Sequence, residues 1–152
     1  MIYFIDEEIN QVSPYADELR LLGYSVKQIG NADDGLNAIL AATDVELVIV
    51  DVMMSTQSKE LSVFLASNTQ NFLSTGIELL EKVATSKEQG MRLDFFPSKT
   101  VVFSMANQQP LVDKITLFCN NHKVSFLKKK EFPDPYDFGI AINNILKKNF
   151  KP

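Results

Sequence analysis

The chain has 152 residues, 45% of them hydrophobic and 22% charged, with a net charge of −4. That length suits one domain with a real core, and the balance is ordinary for a soluble globular chain. The acidic balance argues against nucleic-acid binding through a broad basic surface, and a single cysteine, Cys119, rules out an internal disulfide and points to a reducing compartment.

The amino terminus, Met1-Ile2-Tyr3-Phe4-Ile5-Asp6-Glu7-Glu8, lacks a basic stretch and soon reaches acids, so no signal peptide is expected. No run approaches the length of a membrane span, and the expected location is cytoplasmic. Ile2 to Ile5 form an uninterrupted apolar run that ends in acids. Ser13 and Pro14 then read as the N-cap and first position of a helix closed by Gly23, with Tyr15, Leu19 and Leu22 on one face. Residues 24–29 alternate, as in a short strand near a sheet edge, and residues 31–42 carry Leu36, Ile39 and Leu40 at helical spacing.

Leu47 to Val50 are all apolar and mostly β-branched, without alternation. That pattern suits a parallel strand covered on both faces, and it delivers Asp51 at its carboxyl end, where open parallel sheets bind ligands. Residues 55–75 are rich in Ser, Thr, Asn and Gln, yet contain Leu61, Val63, Phe64, Leu65, Phe72 and Leu73. This is long for a strand-to-helix connection and reads as a packed excursion. A helix follows over residues 76–83, then a polar connection over 84–99 punctuated by Gly90 and Pro97. Residues 100–104 and 124–128 are two further buried-type strands, ending in Ser104 and Lys128. Pro110 opens a helix with Leu111, Ile115 and Phe118, and Cys119 among these apolar residues and Leu117 reads as a buried structural thiol. His122 falls in a polar stretch expected to be exposed. Asp134-Pro135 starts a last helix with Phe138, Ile142, Ile145 and Leu146 inward, and with Lys147 and Lys148 at its negative dipole end.

Five strands alternating with five helices predict an α/β three-layer sandwich, a doubly wound (βα)5 fold of flavodoxin-like type, in a single domain over residues 1–152. With a five-stranded parallel sheet in the order 2-1-3-4-5, the first and third strands are neighbours at the switch point. Asp6, Glu7 and Asp51 then converge. Carboxylates that close repel one another unless a cation sits among them, and oxygen ligands of this kind suit Mg²⁺ bridging to a phosphoryl group. Ser104 and Lys128 on adjoining strand ends would meet the other phosphoryl oxygens. Positioning and charge neutralisation of this kind are most of what phosphoryl transfer needs.

On these residues the chain resembles the receiver domain of two-component response regulators over essentially its whole length. The likeness rests on the acidic pair Asp6-Glu7, the Asp51-Val52-Met53-Met54 stretch, Thr75-Gly76-Ile77-Glu78-Leu79-Leu80, Ser104-Met105-Ala106, and Lys128 after an apolar run. The resemblance implies phosphorylation of Asp51 by a sensor histidine kinase or a phosphotransfer protein, and a signalling phosphoacceptor instead of an enzyme. It implies that Glu7, Asp51 and the Met53 backbone carbonyl ligate Mg²⁺, with Asp6 assisting through water, and that Ser104 and Lys128 bind the phosphoryl oxygens. Output would be protein contact, with an unknown downstream partner or as a homodimer, and without nucleic acid or membrane. The chain departs from the family pattern at Ser55, where proline is usual, in the length of 55–75, and at Lys129, where a proline with a cis bond is usual. The family's aromatic switch residue, three places before the lysine, would fall on Ser125. Two other readings stand beside this one. One is a pseudo-receiver that signals by contact without phosphate; the other is a haloacid-dehalogenase-like phosphatase with Asp6 as nucleophile.

Overall fold

The computed structural model describes residues 1–54, 62, 64 and 74–148. Five parallel strands, β1 (Ile2–Ile5), β2 (Val26–Ile29), β3 (Leu47–Val50), β4 (Thr100–Ser104) and β5 (Ser125–Lys128), alternate with helices α1 (Ile9–Leu21), α2 (Ala32–Ala41), α3 (Thr75–Glu88), α4 (Gln109–His122) and α5 (Pro135–Lys148). The sheet order is β2-β1-β3-β4-β5, the flavodoxin-like winding expected from the sequence. No helix among the described residues is long and apolar enough to cross a membrane.

The period of two along each strand divides the core in half. Ile2, Phe4, Leu47, Ile49, Val101 and Phe103 face Val12, Ala16 and Leu19 of α1 and Phe138, Ile142 and Leu146 of α5. Tyr3, Ile5, Val48, Val50 and Val102 face the apolar stripes of α2, α3 and α4. An aromatic group centred on Phe103 and Phe138, with ring centroids 4.4 Å apart, fills the first half. Tyr15 packs edge-on against both rings and donates its hydroxyl to the Phe132 carbonyl at 2.6 Å.

Several expected elements move. Helix α1 starts at Ile9, with Pro14 inside it, because Val12 belongs to its buried stripe with Ala16 and Leu19. Pro14 keeps a helical φ and leaves only the exposed Asn10 carbonyl without its usual donor, which water can supply. Ser13 does not cap; its hydroxyl donates to the Ile9 carbonyl at 2.7 Å. Leu22, expected inward, follows the helix end and is 45% exposed. Helix α3 continues to Glu88, and Leu93, Phe95 and Phe96 in the supposed polar connection are buried in the core. His122 closes α4, half-buried against the Phe118 ring at 4.5 Å and the Phe96 ring at 5.8 Å between centroids. Leu117 turns to solvent, while Cys119 is buried and its thiol is pushed up to about 12 by desolvation, which makes it inert. Strand β5, at the sheet edge, is half-buried along its length. The excursion expected at 55–75 lies mostly outside the described residues. Within it, Phe64 is buried in the α2–α3 side of the core, and Ser62 donates its hydroxyl to Asp33 at 3.1 Å.

Among the described glycines, Gly76 lets α3 approach the backbone after β3 most closely. Gly76 donates its N–H to the Val52 carbonyl at 2.8 Å, and a Cβ at residue 76 would lie 2.0 Å from the Asp51 carbonyl oxygen and 2.8 Å from Val52 Cα. Backbone on both sides of that contact cannot yield cheaply, so glycine is required. Gly139 in α5 is different: an added Cβ would meet only the flexible Glu18 side chain, at 2.8 Å, and Leu22 Cδ1 at 3.3 Å. Gly76→Ala should therefore destabilise the protein by about 2 kcal/mol or more despite alanine's better helix propensity. Gly139→Ala should stay within roughly 1 kcal/mol of the parent, and urea unfolding of the two variants checks the contrast.

Candidate functional site

Parallel pairing in step places the site. Ile5 pairs with Val50 across β1 and β3, so Asp6 and Asp51 leave the two strand ends side by side. Their backbones are anchored: Asp51 donates its N–H to the Ile5 carbonyl and Asp6 to the Ile29 carbonyl, each at 2.9 Å. Both side chains are nearly sealed from water, Asp6 at 1% and Asp51 at 5% exposure. Asp6 accepts the Glu8 N–H at 2.9 Å, which shapes the turn into α1. Asp51 accepts the Val52 N–H at 2.8 Å. From β4, the buried Ser104 hydroxyl lies beside Asp51 and pulls its carboxyl down, and it accepts the Ala106 N–H at 3.1 Å. These groups border a cleft of about 210 Å³ lined by Glu7, Glu8, Gln11, Asp51, Met53, Met105 and Lys129. A larger cleft, about 520 Å³, lies away from these residues beside Arg92 and Asp94, which pair with each other at the solvent-exposed surface.

The lysine of the site is Lys129, one residue beyond the expected Lys128. Its Nζ stands 2.6 Å from Asp6 Oδ2 and 3.8 Å from Asp51 Oδ2, with the side chain 12% exposed, and it lies 5.6 Å over the Phe103 ring. Lys128 ends β5 in backbone register with Ser104 and makes no contact with either acid. The reason is local. The chain leaves β5 into a 3-10 turn over Lys129–Glu131, and that turn swings the second lysine across the strand ends. The Lys128–Lys129 bond is not cis; Phe96–Pro97 is the cis bond among the described residues. Counting three places back from Lys129 reaches Phe126, not Ser125, and Phe126 packs on the α2–α4 side of the core. A lysine with a second lysine beside it in sequence offers no signal that separates the two; a one-place shift that also restores an aromatic three residues earlier could have found it.

The three expected carboxylates become two. Glu7 is exposed at the cleft's edge, because successive residues of an extended chain point to opposite sides. Among the described residues, no group of three or more His, Cys, Asp or Glu is gathered closely enough to hold a metal ion. The remaining donors still fit Mg²⁺, which keeps several waters and takes one or two carboxylates, and Met53 lines the same cleft. The electrostatics agree with that fit. Burial first, then repulsion from Asp6, pushes the Asp51 carboxyl from 3.8 up to about 7, against the pull of Lys129, the Val52 N–H and the Ser104 hydroxyl. One ammonium does not balance two buried carboxylates.

A folded-state value above the unfolded one means that ionising Asp51 opposes folding. The penalty is absent below about pH 4, grows as pH rises, and is complete above about pH 7. In EDTA, Asp51→Asn should therefore be the more stable protein at pH 8, by on the order of 3 kcal/mol, with the advantage fading towards pH 4. Urea unfolding across that range measures it, and equal stability at pH 8 would refute the charge imbalance.

No protein-family model matches the sequence, and no curated protein matches it. Solved structures do. A CheY-like response regulator receiver domain from Methanospirillum hungatei is 19% identical with a TM-score of 0.64, covering 97% of this chain and 93% of that one. A response regulator receiver protein from Pseudoalteromonas atlantica is 15% identical with a TM-score of 0.65, covering 97% and 98%. The BeF3-activated receiver domain of DrrB is 15% identical with a TM-score of 0.60, covering 96% of each chain. Over nearly its whole length, this chain has the fold of CheY-like response regulator receiver domains.

Proposed function

We propose that this chain is a phosphoacceptor of the two-component type, phosphorylated on Asp51. The observation that carries the reading is the meeting of buried Asp51 with Asp6, Lys129 and Ser104 at the β1–β3 switch point. An Asp51 carboxylate oxygen attacks the phosphorus of a phosphohistidine on a sensor kinase or phosphotransfer protein. The P–N bond breaks, the imidazole nitrogen leaves with the electron pair, and an acyl phosphate forms on Asp51. Attack requires ionised Asp51, and a nearby cation favours that form. Mg²⁺ held by Asp51 and Asp6 with the Met53 carbonyl and waters, and with Glu7 only at the cleft's edge, would supply that charge and offset the phosphoryl oxygens.

The chain's own groups do the rest. The Ser104 hydroxyl, which lies beside Asp51, would meet an oxygen on a phosphoryl group attached there. Lys129 takes the part expected of Lys128, as a point charge on a second oxygen. Phe126, three places before Lys129 and against the α4 side of the core, occupies the position of the family's aromatic switch. Output is then protein contact, with a downstream partner or a second copy, and the protein is a signalling domain of the cytoplasm instead of an enzyme. The DrrB receiver's BeF3-activated form supports using that reagent here.

The pseudo-receiver reading draws support from the 2.6 Å Lys129–Asp6 pair, which partly neutralises the pocket without any ion. The phosphatase reading needs Asp6 to attack, yet Asp6 is held in a 2.6 Å ion pair with Lys129, accepts the Glu8 N–H and does not line the cleft, whereas Asp51 does. Acetyl phosphate with Mg²⁺ should label Asp51, as mapped by mass spectrometry, and Asp51→Asn should abolish the label. Lys128→Met should leave the labelling rate within about twofold, as expected for a half-buried lysine that pairs with neither acid. A label on Asp6 would replace this reading with the phosphatase, and no label under beryllofluoride or acetyl phosphate would replace it with the pseudo-receiver.

A further inference from the structure

A second set of polar contacts reaches Asp51 from the far side, through the start of α3. Ser74, the residue before that helix, is fully buried, and its hydroxyl does not cap the helix. It accepts a hydrogen bond from Lys114 Nζ of α4 instead, at 3.3 Å. Lys114 follows the buried Leu111 by three places and precedes the buried Ile115, so its stem leaves α4 beside the face turned to the core. An ammonium donating to a sheltered hydroxyl makes a charge-assisted bond. The next hydroxyl, Thr75, is buried without a partner among the described residues and does not tie the helix start. Gly76 then donates its N–H to the Val52 carbonyl at 2.8 Å and presses on the Asp51 carbonyl. Helix α4 is also joined to the site through β4, where Ser104 lies beside Asp51 and accepts the Ala106 N–H. The contacts close a ring that runs from Asp51 through Ser104, α4, Lys114, Ser74 and Gly76 back to Val52. We infer that Lys114 is a positioning residue for Asp51, which fixes the turn carrying that carboxylate by holding the start of α3. This rests on the phosphoacceptor reading and adds a residue of α4 to the groups that set the acceptor's geometry. Lys114 acts through Ser74 and Gly76, along packed and bonded neighbours.

Two readouts test it: amide hydrogen exchange of Gly76 in EDTA, and the rate of Asp51 labelling by acetyl phosphate with Mg²⁺. Lys114→Met and Ser74→Ala should each speed the exchange at least about fivefold and slow the labelling by a similar factor, as loss of a hydrogen bond to a charged group allows. The double variant should be no worse than either single one, because both remove the same bond. Lys114→Arg keeps the cation and its donors, and should return both readouts to within about twofold of the parent. Lys148→Met takes an equal charge from the exposed end of α5 and should also stay within about twofold. Effects that add in the double variant would overturn the tie, as would equal slowing by Lys148→Met. A Lys114→Met protein that loses urea stability with both readouts unchanged would make the contact structural alone, and overturns the proposal too. Should Lys114→Met fail to fold, Ser74→Ala and Lys114→Arg carry the same contrast. The underlying reading fails separately, by absence of Mg²⁺-dependent labelling of Asp51 in the parent, while Gly76 exchange still decides the tie.

Discussion

Two buried carboxylates and one ammonium, gathered where β1 and β3 end, are the feature around which the rest of this structure makes sense. Burying charge is costly, and a partnered group offsets that cost only if the geometry is good. Here the geometry is good for Asp6, at 2.6 Å from Lys129, and poor for Asp51, at 3.8 Å. The asymmetry leaves Asp51 with a raised proton affinity and a surplus of negative charge nearby. A pocket built purely for stability would have balanced that charge or replaced it with apolar groups. An imbalance kept at the mouth of a cleft is instead a place where a cation gains something by binding.

The surrounding fold serves to hold that imbalance in place. Both acids follow strands that are buried on both faces, so neither backbone can drift to separate them. Gly76 presses the start of α3 onto the Asp51 carbonyl, which braces Asp51 from behind. Ser104 arrives from the neighbouring strand in the same rigid frame. The lysine is the exception. It sits on a 3-10 turn after the half-buried edge strand β5, with its side chain 12% exposed and its ammonium over the Phe103 ring.

Much of the architecture could be read from the chain because its signals were local. Unbroken apolar runs marked β1, β3 and β4, and helical spacing with Asn31, Pro110 and Pro135 near the helix starts marked α2, α4 and α5. The misreadings share a cause, which is that burial is decided between elements. Ser13-Pro14 has the local chemistry of a helix start, yet Val12 is needed in the α1 stripe and draws the helix back to Ile9. Leu93, Phe95 and Phe96 look like scattered apolar residues in a polar stretch, and become core by packing in one cluster with the buried residues of α3 and α4. His122 looks like loop, but two phenylalanines from different segments enclose it.

The sequence by itself determined the alternation of strands and helices and the delivery of Asp6, Asp51 and Ser104 to strand ends, since each follows from a run of a few neighbouring residues. Only the tertiary structure decided which acids and which lysine meet. Glu7 and Asp6 are adjacent, as are Lys128 and Lys129, and composition cannot separate members of such pairs. The direction in which a chain turns as it leaves a strand separates them, and that direction is set by packing against the other strand ends.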